Sequence, residues 1–312
     1  MKPPVFDYVA PRSVREAVDA LGDPGRDAAV IAGGQSLLLE MHLTRRKPDL
    51  VVDINGVAGL DGLGVDGDSL RVGALVRHAA FEAPHAVPGP LGALLGQAVT
   101  NIAHPPIRTR GTLVGSLAWA HPASEWCAVA LALDADLALQ DRDGTRQVAA
   151  RDYFQGPYQT ARRPRELITS VRFPLLGDDT GVGFVEHRRT HFSFATVAVA
   201  TALTVRDGVI SDARIGLVNA ADRPVRALAA ERTLIGAAAG EHLAGHAGRT
   251  AAERLFDRAG RIAAEQDAAP VDEPYADAGY KRQAVAVLTG RALRRAATDQ
   301  RSRATERREG PR

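Results

Sequence analysis

Apolar positions in the first fifty residues follow two alternating rhythms. In SVREAVDAL, residues 13–21, Val14, Ala17, Val18 and Leu21 recur at i, i+3, i+4 and i+7, the stripe of a single helix face. Ser13 ahead of it and Glu16 three residues on form a capping box, which fixes where that helix starts. A turn at Gly22, Pro24 and Gly25 leads into AAVIA, a short buried strand. After Gly33-Gly34 the run LLLEMHL is helical, and DLVVDI is a second strand ending near Asn55-Gly56. Alternation of this kind predicts a parallel sheet.

The middle of the chain keeps a different order. SLRVGAL is strand-like, GPLGALLGQAVTNIA is a helix, and GTLVGSLAWA is small, apolar and punctuated by glycine. SEWCAVALALDA returns to helix. DLALQ and RQVAA flank Asp143-Gly144, the signal of a hairpin turn, and ELITSVRFP is a further strand. A domain boundary is expected around Pro174–Thr180. Beyond it, FATVAVATALTV and VISDARIGLVNA join through Asp207-Gly208 as a long antiparallel hairpin. Three helical patterns follow: VRALAAERTLIG, AERLFDRAGRIAAE and YKRQAVAVLTGRALRRA. Strands first and helices afterwards mark an α+β domain.

Composition narrows the class. At 312 residues the chain fits one large domain or two ordinary ones. No apolar run reaches membrane-spanning length, and the opening MKPPVFDYVAPRS lacks the apolar core of a secretory signal, so a cytoplasmic protein is expected. The single cysteine, Cys127, excludes a disulfide framework and an iron–sulfur cluster held by this chain alone. The formal charge of +2 comes from the end of the chain: from Arg291 onward there are eight arginines and three acidic residues. Without that segment 31 basic residues face 34 acidic ones. The body is mildly acidic, the basic tail (297–312) is expected to be disordered, and no case for nucleic-acid binding arises.

Two segments carry candidate chemistry, AGGQSL (32–37) and TLVGS (112–116). Each sets glycine and small hydroxyl residues beside apolar strand material. Glycine lets backbone N–H groups converge into a concave anion site, and Ser and Thr add donors. A plain tight turn explains either segment taken alone, and the G-x-G-x-x-G dinucleotide fingerprint is absent. Other motifs are weaker. GGQSLL lacks the closing glycine of a nucleophile elbow, so Ser36 is a poor nucleophile. His187 and His191 have a metal-ligand spacing but no third ligand nearby. Trp119 and Trp126 flank the second motif and suit core packing or ring stacking. Arg108 and Arg110 suit phosphate or solvent.

The two motifs in this order resemble the FAD-binding medium subunits of the molybdenum hydroxylase family, which includes carbon monoxide, nicotine and xanthine dehydrogenase types. Residues 32–37 match the family's A-G-G-x-S-L. TLVGS resembles its T-I-G-G-[NS], with Val114 in place of the first glycine. HPASEW resembles its D-P-A-[SA]-[DE] run, with His121 for the Asp and Glu125 kept. FDYVAPRSVREAVDAL, RVGALVRH, PPIRTRGTL and YKRQAVAVLTGRAL also have family counterparts, so the resemblance extends to about residue 296. In RRTHFSFAT, Ser193 stands where the family has an Asp.

The resemblance implies an α+β chain: a two-lobed FAD-binding domain of the vanillyl-alcohol oxidase type over 1–176, with lobes of about 1–56 and 57–176, then an α+β domain over 177–296. FAD would lie between the lobes. Ala32, Gly33, Gly34, Gln35, Ser36 and Leu37 would hold its diphosphate from one side, and Thr112, Gly115 and Ser116 from the other. Glu125 would lie toward the ribose or adenine, and Leu167 and Ile168 near the adenine. No residue is nominated as an acid–base catalyst, and no metal site is expected on this chain. A molybdopterin-binding large subunit and a [2Fe–2S] small subunit would be its partners, in an assembly up to a dimer of heterotrimers. The chain would pass electrons from the cluster to an external acceptor. Two alternatives remain open at this point: an assembly subunit that has lost FAD through Val114 and His121, and a free-standing flavin oxidoreductase. Val114 would be strained if its position needed φ > 0, and a cationic His121 would suit a nearby diphosphate.

Overall fold

A computed structural model describes residues 4–83, 85–239 and 251–309. By internal contacts the chain forms two compact units. One comprises the residues up to Ala80, His104–Ala120 and Asp134–Pro174; the other comprises Phe81–Ala103, His121–Leu133 and the chain from Leu175 onward.

The first unit holds a parallel sheet of three strands in the order Asp7–Val9, Leu50–Asp53, Ala28–Ile31. The expected helix is Val14–Leu21. Ser13 Oγ accepts from Glu16 N at 3.2 Å, and Glu16 Oε2 accepts from Arg12 N at 2.8 Å. Its Ala17, Val18 and Leu21 are buried, as the stripe requires. A second, antiparallel sheet runs Leu63–Asp66, Ser69–Gly73, Leu167–Pro174, Asp136–Gln140, Thr145–Ala149. The last two strands are the Asp143-Gly144 hairpin. A bulge between Ile168 and Ser170 breaks the register of the central strand, a device that re-aims side chains locally.

The second unit is built on an antiparallel sheet in the order Thr180–His187, Val197–Arg206, Val209–Val218, Val225–Arg226. The long hairpin over Asp207-Gly208 is there as expected. The first strand was not expected, because Gly181 and Gly183 weaken its apolar signal. They admit the backbone of helix Ala278–Glu309: a Cβ at Gly181 would stand 2.0 Å from the Ala296 carbonyl, and one at Gly183 2.4 Å from that of Ala292. Buried Val199, Leu203, Ile215, Leu217, Phe256, Val285 and Leu293 form the core of this unit.

Two expectations need correction. GTLVGSLAWA holds a helix, Leu113–Trp119, where only an apolar segment was foreseen. By contacts, residues 81–103 and 121–133 group with the second unit. Gln97 Oε1 there accepts from Phe184 N at 2.9 Å, and Gly216 admits the Ala128 carbonyl. Finally, the basic tail is helical through Glu309. Asp299 anchors it by accepting from Val182 N at 3.0 Å and from Arg303 Nε at 2.9 Å. Residues 310–312 of that tail lie outside the described residues.

Candidate functional site

The two glycine motifs meet in the first unit. Strand Ala28–Ile31 delivers Ala32–Ser36 to the start of the helix Leu37–His42, and Thr112 caps the helix Leu113–Trp119. Between them lies a cleft of about 230 Å³. Ala32, Gly33, Gly34, Gln35, Ser36, Leu37, Thr112, Gly115, Ser116, Leu167 and Ile168 all line it.

Each glycine of the first motif has its own physical reason. Gly34 takes φ +74°, in the left-handed region that favours glycine. Gly33 is needed for close approach: a Cβ there would stand 2.3 Å from the Arg110 carbonyl oxygen and 2.7 Å from Gly111 Cα. The first loop therefore rests backbone to backbone on the segment that leads into the second.

Donors are arrayed along both loops. The N–H groups of Gly34, Gln35, Ser36 and Leu37 have no protein acceptor among the described residues. Ser36 makes no side-chain capping bond. In the second loop Thr112 Oγ1 accepts from Gly115 N at 2.9 Å, which uses one donor for the cap, while Val114 N–H has no acceptor among the described residues. Val114 sits within the helix at negative φ with its side chain buried. The strain foreseen for a β-branched residue there is absent, and the backbone donor does not depend on the side chain.

Other residues frame the cleft. Arg146 holds the buried carboxylate of Glu166 through Nε and Nη2 at 2.6 and 2.9 Å, and Arg163 N donates to it at 2.6 Å. Burial opposes the Glu166 charge, but these bonds keep its carboxyl below the ordinary value. The anchored loop fixes Leu167 and Ile168 at the cleft edge. Buried His78 packs on Gly111, and burial, reinforced by Arg108 and Arg77, pushes its pKa down to about 4, so it is neutral. Arg46 and Arg162 also line the cleft, as do His78 and Glu166. The sequence reading missed all four. Arg46 carried no motif, His78 closes the RVGALVRH segment but was given no role there, and Arg162 and Glu166 enter only through the loop that Arg146 folds back.

Glu125 does not line this cleft. It lies buried at the start of helix Glu125–Ala132 in the second unit, near Glu186 and Arg188. Arg188 Nη1 is 3.5 Å from Glu186 Oε1, while its guanidinium donates to the Asn101 carbonyl and to Asn101 Oδ1 at 3.0 and 2.8 Å. Both Glu186 oxygens are buried with no hydrogen-bond partner among the described residues. Burial outweighs Arg188 and pushes Glu125 up to about 7 and Glu186 up to about 8. His121 is outside the cleft lining as well. Its ring stacks on Phe194 at 4.4 Å, its Nδ1 accepts from Ala123 N, and burial lowers its pKa against the pull of Glu273, which disfavours the cationic form.

The open choices among other motifs resolve as well. Trp119 lines the cleft edge-on to Tyr158, whereas Trp126 is core and packs on Phe81. Arg108 and Arg110 do not line the cleft. His187 Nε2 is 2.7 Å from Tyr280 Oη, and no group of metal-ligand residues occurs among the described residues. Burial pushes the Cys127 thiol up to about 12, which leaves it unreactive.

Two loops with free backbone donors line one cleft, the kind of arrangement that suits an anionic group such as a phosphate. Residues 4–176 match the family model for the FAD binding domain in molybdopterin dehydrogenase, and residues 183–256 match the CO dehydrogenase flavoprotein C-terminal domain. The chain belongs to the FAD-binding medium subunits of molybdenum hydroxylase-type dehydrogenases. It is 37% identical to the caffeine dehydrogenase subunit beta of Pseudomonas sp. (strain CBB1), over 78% of this chain and 82% of that one. It is 35% identical to subunit alpha of the 6-hydroxypseudooxynicotine dehydrogenase complex of Paenarthrobacter nicotinovorans, over 95% and 96%. Among solved structures, a chain of carbon monoxide dehydrogenase from Hydrogenophaga pseudoflava superposes with a TM-score of 0.88 at 32% identity, covering 96% of this chain and 99% of that one. No helix among the described residues is long and apolar enough to cross a membrane.

Proposed function

We propose that this chain is the FAD-carrying electron-transfer subunit of a molybdenum hydroxylase, taking electrons from a [2Fe–2S] subunit and passing them to an external acceptor. The observation that carries the reading is that four unpaired backbone donors of the first motif and the Val114 N–H of the second belong to residues lining one cleft. Those donors fit a diphosphate, because fixed N–H groups solvate anionic oxygens without reorganising. The first loop, Ala32–Leu37, would hold the diphosphate from one side. Thr112, Gly115 and Ser116 would flank it from the other, through the helix start that Thr112 caps. Leu167 and Ile168 offer apolar surface to the adenine. When bound, FAD supplies the redox chemistry, and this chain orients it.

The single cysteine supports the division of labour, since a [2Fe–2S] cluster takes about four protein ligands and must be brought by a partner. The molybdopterin centre that oxidises the organic substrate belongs, in this reading, to a large subunit. An assembly subunit that has lost FAD has less support: Val114 is unstrained and leaves its backbone donor in place.

The test is reconstitution. The FAD-loaded chain is mixed with its chemically reduced [2Fe–2S] partner under anaerobic conditions. Rapid loss of the oxidised-flavin absorbance that requires the partner is the expected result. Flavin absorbance that stays unchanged beside a reduced and physically bound partner would overturn the electron-transfer role.

A further inference from the structure

We propose that Asn55 and Arg77 form a positioning clamp that sets the spacing of the two cofactor loops and thereby the affinity for FAD. The inference rests on the FAD reading above and adds residues that lie outside the cleft lining.

Asn55 sits in the single helical turn Ile54–Gly56 that ends the central parallel strand. Its Nδ2 donates to the Ala32 carbonyl at 2.8 Å, at the first residue of the first motif, and to Asp53 Oδ1 at 2.6 Å. Its Oδ1 accepts from Arg77 Nη2 at 2.6 Å. Arg77 Nη1 then donates to the Arg110 carbonyl at 2.6 Å, two residues ahead of Thr112. One continuous set of side-chain bonds therefore joins a carbonyl of the first loop to a carbonyl at the threshold of the second. The main chain reinforces it, because Arg77 forms an isolated antiparallel bridge with Thr112.

The far end of the clamp is itself braced. Asp53 accepts from Tyr8 Oη at 2.5 Å and from Asn55 N at 2.9 Å. Burial works against its charge, yet these bonds and the nearby Arg110 hold its carboxyl below the ordinary value. The Arg110 carbonyl meets Gly33 on another side, at the contact a Cβ would occupy. It is thus fixed between the first loop's backbone and the Arg77 guanidinium.

Only a planar fork with donors at fixed separation reaches both acceptors at once; a lysine ammonium supplies a point charge and reaches one. Bonds from an ionised donor are also stronger than neutral ones. Asn55 and Arg77 would act on FAD through the loops they hold, so they are positioning residues.

The experiment is equilibrium FAD titration of the full chain, followed by flavin fluorescence well below the melting point of each variant. Asn55→Ala and Arg77→Met are each expected to weaken FAD by roughly tenfold, as loss of one charge-assisted bond would. The double variant is expected to lose no more than the weaker-binding single variant, because both break one bridge. Arg77→Lys retains the charge, guards against misfolding of the apolar variant, and should recover part of the affinity. Variants that melt earlier but bind FAD as the wild type does, or single losses that multiply in the double variant, would overturn the clamp. A wild-type chain that binds no FAD would overturn the cofactor reading itself, and the clamp with it.

Discussion

Gly33→Ala is the sharpest perturbation the site offers, because it adds one methyl group and nothing else. The new Cβ would lie 2.3 Å from the Arg110 carbonyl oxygen, 2.7 Å from Gly111 Cα and 2.8 Å from the Arg110 carbonyl carbon. Ordinary contact begins at 3.4 Å, so the loops must part by about 1.1 Å. All three neighbours are backbone, and no side chain can swing away. Overpacking of this kind costs about 1–3 kcal/mol of stability. A displacement of about 1 Å in a positioning element can cost on the order of a hundredfold in function. Gly34→Ala is the internal comparison. Its φ of +74° makes alanine cost about 1–2 kcal/mol, but its Cβ would meet the mobile end of Leu38 at 3.0 Å rather than backbone. Thermal melting of the apo chain and FAD titration, run on both variants, separate strain from loop spacing. Gly33→Ala should lose far more FAD affinity than Gly34→Ala at comparable loss of stability. A Gly33→Ala chain with wild-type FAD affinity would refute the reasoning, because the loops would then tolerate a spacing that the contact forbids.

Three further outcomes follow from the structure. Thr112→Ala removes the cap on Gly115 N and should cost about 1 kcal/mol in chemical denaturation, with Thr112→Ser near neutral. Stability should fall as pH rises from the ordinary carboxylate range through about 8. In that window the unfolded chain has released the protons that the folded state keeps on Glu125 and Glu186. The slope is at most about 1.4 kcal/mol per pH unit for each retained proton. Glu186→Gln should flatten the slope in pH-dependent melting, and an unchanged slope would show that the pair is not responsible. Asp299→Ala leaves the N–H of buried Val182 without its acceptor and should destabilise by about 1–3 kcal/mol, measured by urea denaturation. A truly disordered tail would give no effect.

Much of this architecture was legible because the local signals agreed with the packing. The capping box at Ser13 and the 3.6-residue stripe after it gave the first helix. The Asp143-Gly144 and Asp207-Gly208 turns gave both hairpins. What stayed hidden depends on contacts distant in sequence. Strand Thr180–His187 uses glycines to admit a helix more than a hundred residues downstream, so its apolar pattern is thin. The basic tail reads as solvated by composition, yet it is helical through Glu309, with Asp299 accepting from Val182 N. In the site, the paired glycine motifs named the two loops. The bond set from Asn55 to Arg110 that joins them cannot be read from any one segment, since it links residues 22 to 33 positions apart.

The central claim is that both motifs cradle one FAD, and calorimetric titration of the full-length chain with FAD tests it most directly. The account predicts saturable binding of one FAD per chain, strongly weakened by Gly33→Ala. A folded wild-type chain that takes up no FAD, or takes it up equally well with Gly33→Ala, would contradict it.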